Sequence, residues 1–172
     1  MEISYQKTNQ LNTDILSFKK DIGIMSLLLI PSKKILNWFA KIIKWKLFKK
    51  MDKLSKLLKE NKYIFPNEYY DCLEINEMIK YTLNRDYSLI KQDDFNFIND
   101  MNNAFFELIL CKLTLLKDSD CEFNESFHNK FDSQYDKFNE SLINFKEYFY
   151  SNIYQESFNE QDVIDYLKVA WE

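Results

Sequence analysis

One glycine, Gly23, and two prolines, Pro31 and Pro66, are all the backbone punctuation this chain of 172 residues contains. Sheet folds need many tight turns, and tight turns draw on glycine, asparagine and aspartate. Asn and Asp are plentiful here, but they lie within long stretches whose apolar residues recur with a period of about 3.6. The chain therefore reads as all-α, a compact bundle of five to six helices in a single domain spanning 1–172. Hydrophobic residues make up 46% and aromatics 17%, enough at this length to bury a core and to argue against disorder.

The periodicity places the helices. Residues 1–12 are polar and are expected to fray. Thr13 is a candidate cap, and Ile15, Phe18, Ile22, Met25 and Leu29 then follow on one face. The run Ile22 to Ile30 is apolar nearly all round, but far shorter than the about 20 residues that cross a bilayer. Pro31 ends this helix, and Ser32 caps a second one reaching Asn61. Further helices are expected over 68–84 (capped by Asn67), from Asp93 or Asp94 to Lys117, over 125–154, and over 160–171 after Asn159. Their inward faces are Cys72, Ile75, Ile79 and Leu83; then Ile98, Met101, Phe105, Leu108, Cys111 and Leu115. In the fifth helix they are Phe127, Phe131, Tyr135, Phe138, Leu142, Phe145 and Phe149; in the last, Val163, Tyr166, Leu167 and Trp171.

Charge divides the chain. Residues 1–59, a basic N-terminal helical hairpin from residue 13 onward, hold 13 lysines against 4 acids. Residues 60–172, the acidic helical part, hold 10 basic residues against 23 acids, within a net charge of −4. Such asymmetry suits an anionic surface bound through the N-terminal part, or attraction between the two halves.

The stretch KKILNWFAKIIKWKLFKK, residues 33–50, concentrates the effect: seven lysines, no acid, and two of the three tryptophans. Leu36, Phe39, Ile43, Leu47, Met51, Leu54 and Leu58 form one apolar seam. Ile35, Trp38, Ile42 and Trp45 form a second, and on a helical wheel the two merge into an arc of roughly 220°. Lys33, Lys34, Lys41 and Lys44 fill the narrow polar remainder; Lys46, Lys49 and Lys50 follow where the second stripe stops. Either the whole arc is core, with lysine stems covering its edges, or the second stripe is an interface. In that case Trp and Ile sit at a headgroup boundary and the lysines meet anionic lipid, or the stripe meets protein. Nucleic acid is disfavoured. The strip holds no arginine, the usual base reader and phosphate fork, and lysine alone supports only non-specific phosphate binding.

Catalytic sets are absent from the pattern. One glycine makes no phosphate-cradling loop. Arg85 is the one arginine and His128 the one histidine. Cys121 lies seven residues before His128, but no third group orients such a pair. Asp118, Asp120, Glu122 and Glu125 crowd one loop without the glycine that a calcium loop requires. No catalytic, metal or cofactor residue is assigned, and no small-molecule substrate is evident. Cys72, Cys111 and Cys121 fit neither a disulfide framework nor a zinc pattern, which suits reduced thiols in the cytoplasm.

The reading is a non-enzymatic interaction protein, cytoplasmic or peripheral to the inner face of a membrane. Its basic helices bind an anionic membrane surface or a second copy, with Ile35, Trp38, Ile42 and Trp45 as the apolar contact and the seven lysines as the electrostatic one. The alternative is a small acidic inhibitor or immunity-type protein. There Glu125, Asp132, Asp136, Glu140 and Glu147 would block a basic, nucleic-acid-binding protein partner by charge complementarity.

Overall fold

The computed structural model describes residues 5–30, 37–117, 125–154 and 168, apart from the side chains of Tyr5, Asn37, Tyr87, Lys117 and 125–128. The described chain contains five long helices and no strand: α1 (Tyr5–Leu28), α2 (Asn37–Glu60), α3 (Pro66–Asn84), α4 (Gln92–Lys117) and α5 (Glu125–Tyr148). A 3-10 turn, Tyr87–Leu89, leads into α4, and α5 runs on into a π-helical segment, Phe149–Ile153. The expected last helix over 160–171, the Pro31–Ser32 junction and the acidic loop at 118–124 lie outside the described residues.

Neighbour contacts order the bundle α3, α2, α1, α4, α5, and the π-helical segment returns against α3. Phe105, Phe138 and Phe145 fill the centre with Ile15, Leu47, Leu58, Met101 and Leu108, all essentially closed to water. Ion pairs join neighbours around the ring: Lys50–Asp21 between α2 and α1, Lys80–Asp52 between α3 and α2, and Lys19–Glu107 between α1 and α4.

Three boundaries differ from expectation. α1 starts at Tyr5, and Thr8 and Leu11, within the stretch expected to fray, are buried; tertiary cover holds a first turn that lacks a strong local signal. α3 starts with Pro66 at its first position, behind Phe65, not from an Asn67 cap; proline suits that position because its missing N–H has no intrahelical partner there. α4 uses Asp94 inside its first turn: its Oδ2 accepts the Lys91 N–H at 2.9 Å, the reach-back of a capping box.

Candidate functional site

α2 settles what its two apolar stripes do. Ile43, Leu47, Met51, Leu54 and Leu58 are buried. Trp38 and Trp45 are each 61% exposed and Ile42 41%. At about 100° per residue, Trp38, Ile42 and Trp45 cluster on the side of the helix opposite Leu47. Of the two alternatives left by the spacing, a wholly buried arc is therefore not what forms: the arc is split. Phe39, placed in the buried seam by its spacing, lies on the exposed side of the split and packs edge-on to Trp38, with ring centroids 5.9 Å apart. Among the described residues, the face of α2 that carries Leu47 is covered and the second stripe is not. Lys33, Lys34 and Ile35 lie outside the described residues.

The lysines divide by what they reach. Lys50 bridges to Asp21 at 3.1 Å, and Lys44 donates to the Leu83 carbonyl, at 3.4 Å, near the C-terminal end of α3. A cation there complements the negative end of the helix dipole. Lys41, Lys46 and Lys49 are exposed and have no acidic partner among the described residues; the Lys49 ammonium instead sits 4.9 Å from the Trp45 ring centroid. Among described ion pairs, Lys19–Glu107 alone joins a lysine of 1–59 to an acid of 60–172. Among the described residues, few of the N-terminal lysines are thus paired with acids of the C-terminal part.

α1 also exposes apolar residues near this end of α2. It runs antiparallel to α2: the Lys7 ammonium lies 4.9 Å from the Tyr63 ring centroid, Lys50 reaches Asp21, and Leu29 shares a cavity with Lys44. Carried toward the turn, this register sets Ile24, Leu27 and Leu28 level with Ile42 to Lys46. All three are exposed, while Ile22 and Leu29 on the other side of α1 are buried. The all-round apolar run of α1 therefore serves the core with one face and leaves the other open. No described helix is long and apolar enough to cross a membrane.

The acidic residues of α5 also share a face. Asp132, Asp136, Glu140 and Glu147 are all exposed, spaced four, four and seven apart, with exposed Ile143 among them. Glu125 belongs to the same helix, but its side chain is outside the described set. Tyr135, expected in the buried stripe of α5, is exposed, whereas Phe138, Leu142, Phe145 and Phe149 are buried.

Sequence spacing gave no hint of a polar knot at the base of α4. Buried Asp94 accepts from the Arg85 guanidinium at 2.7 Å, from the Lys91 backbone and from the Tyr148 hydroxyl. Burial, and then the hydrogen bond to that carboxylate, push the Tyr148 phenol above its ordinary range. Cys72 and Cys111 are free thiols; burial raises Cys72 to about 12, far from a nucleophile's range. No cluster of metal-ligating side chains occurs among the described residues. Cys121 and the His128 side chain lie outside them. Compared with known proteins, the chain matches no family model, no curated protein and no solved structure.

Proposed function

We propose that the protein is a non-enzymatic, peripheral membrane-binding protein that docks on an anionic lipid surface through the outward face of α2. One observation carries the reading: Trp38, Ile42 and Trp45 are exposed on the side of α2 away from the core, beside lysines with no acidic partner among the described residues. Trp and Ile in that setting suit the headgroup–acyl boundary. Each basic residue near an anionic leaflet contributes about 1 kcal/mol, and the cytoplasmic leaflet is the anionic one. Ile24, Leu27 and Leu28 at the same end of the hairpin add apolar area to the same surface.

Co-sedimentation with neutral and anionic vesicles, at low and high salt, tests this. Pelleting with anionic vesicles alone, weakened by salt and accompanied by a blue shift of tryptophan emission, is expected. Absence of pelleting overturns the reading. If the sedimentation coefficient of the protein alone rises with concentration, the patch is instead covered by a second copy.

A second reading is favoured by the face of α5 that carries Asp132, Asp136, Glu140 and Glu147 around Ile143. An acidic strip with an apolar centre fits a basic groove on a nucleic-acid-binding protein. Charge reversal at Asp136 and Glu140 would abolish such binding and leave vesicle binding intact.

A further inference from the structure

A cavity of about 370 Å³ opens beside α2, where the end of α1, the end of α3 and the start of α4 converge. Its volume falls within the roughly 300–1,000 Å³ of ligand sites. The apolar part of the lining comes from Leu29, Ala40, Leu83 and Phe95, and the cationic part from Lys41 and Lys44. Arg85 and Asp86 also line it, but the Arg85 charge is already matched by Asp94 at 2.7 Å. The charge on offer is therefore that of the two lysines, set against Asp86. Lys44 is held at the cavity by the Leu83 carbonyl, and Lys41 has no acidic partner among the described residues.

We infer that this cavity receives the phosphate and glycerol portion of a single anionic phospholipid, with the phosphate between Lys41 and Lys44 and the start of an acyl chain on the apolar lining. The inference rests on the membrane reading and deepens it by naming the ligand. Lys41 stands three residues after Trp38 and four before Trp45, the spacings at which helix side chains are neighbours. The same lysine therefore borders both the exposed stripe and the cavity. Tryptophans seated at headgroup level bring the mouth of the cavity to the depth of the phosphates. Inorganic phosphate would leave the apolar lining uncovered, and a neutral lipid would leave the lysines unmatched. Asp86 in the lining opposes a headgroup with a second negative charge, which makes a monoanionic phosphodiester such as phosphatidylglycerol the fitting class.

The test uses the full chain and dihexanoyl phosphatidylglycerol below its micelle threshold, followed by calorimetry or amide chemical shifts, with inorganic phosphate as a separate arm. Saturable binding of the short-chain lipid, not displaced by equimolar phosphate, is expected. Ala40→Phe, which fills the cavity from a half-buried position, and Lys41→Gln with Lys44→Gln should each weaken it by about tenfold or more. Circular dichroism checks that each variant folds, and the lysine pair serves if Ala40→Phe does not. Vesicle pelleting by Ala40→Phe should persist through the Trp38–Trp45 stripe. Wild-type protein that pellets with anionic vesicles but does not bind the short-chain lipid overturns the cavity assignment and leaves the membrane reading standing. Short-chain binding unaltered in the folded variants, or phosphate binding equal to lipid binding, overturns it as well. Failure to pellet removes the membrane reading and, with it, a ligand drawn from a bilayer.

Discussion

The Arg85 guanidinium donates to the Asp94 carboxylate at 2.7 Å, with side chains only 5% and 2% exposed. The chain's one arginine is thereby spent on joining the end of α3 to the start of α4, and the Tyr148 hydroxyl brings the end of α5 to the same carboxylate. Removing one partner leaves the other charge buried and uncompensated. Arg85→Met should therefore cost about 3–5 kcal/mol of unfolding free energy in urea. Tyr148→Phe, which removes one donor to a charged group, should cost about 1.5–3 kcal/mol. Equal stability of wild type and Arg85→Met would show that the pair holds nothing together.

The two faces of α2 should separate energetically. Leu47→Ala, at a side chain essentially closed to water, should cost about 2–5 kcal/mol. Ile42→Ala and Trp38→Glu on the exposed side should stay within about 1 kcal/mol of wild type. Chemical denaturation of the three variants measures this. A large loss in Trp38→Glu would mean that the stripe is covered in the free protein.

Gly23 sits inside α1, and a Cβ built on it meets nothing within 4 Å. Alanine there relieves the entropic cost of a helical glycine without a clash. Gly23→Ala should raise stability by about 0.5–1 kcal/mol, seen as a higher urea midpoint at an unchanged slope.

Cys72 gives the fold an alkaline limit. Burial raises its thiol from an ordinary 9.0 to about 12. Above pH 9 the unfolded chain loses this proton while the folded chain keeps it, so the unfolded state gains and stability falls as pH rises toward 12. The contribution is fully present below pH 9. Stability measured from pH 8 to 11 should decline less steeply for Cys72→Ala than for wild type, and at pH 8 the native thiol should resist iodoacetamide.

Tryptophan emission reads the docking face directly. In a Trp171→Phe background, Trp38 and Trp45 alone report. Their emission should be that of water-exposed indole in the free protein and should shift to the blue with anionic vesicles. A blue spectrum before any lipid is added would contradict their 61% exposure.

Much of this architecture is legible along the chain because helix formation and amphipathicity are local. The seams Ile98–Met101–Phe105–Leu108 and Phe138–Leu142–Phe145–Phe149 follow from a period of about 3.6 residues and proved buried. The start of α3 was readable from Pro66, although the expected cap, Asn67, lies two residues past the actual one, Phe65. The start of α1 was not, because Thr8 and Leu11 are buried by tertiary cover that the local pattern does not mark. The Arg85–Asp94–Tyr148 knot includes a hydrogen bond between residues 54 positions apart, Asp94 and Tyr148, and leaves no periodic trace.

By itself, the sequence determined an all-helical chain, the positions of its main apolar seams, and a basic N-terminal part whose second helix carries two apolar stripes. The tertiary structure decided which stripe is core. Spacing measures angles around one helix axis and cannot say where the neighbouring helices stand. Among the described residues, α1 and α3 pack against α2; Leu47 and its companions found cover there, and Trp38, Ile42 and Trp45 were left exposed.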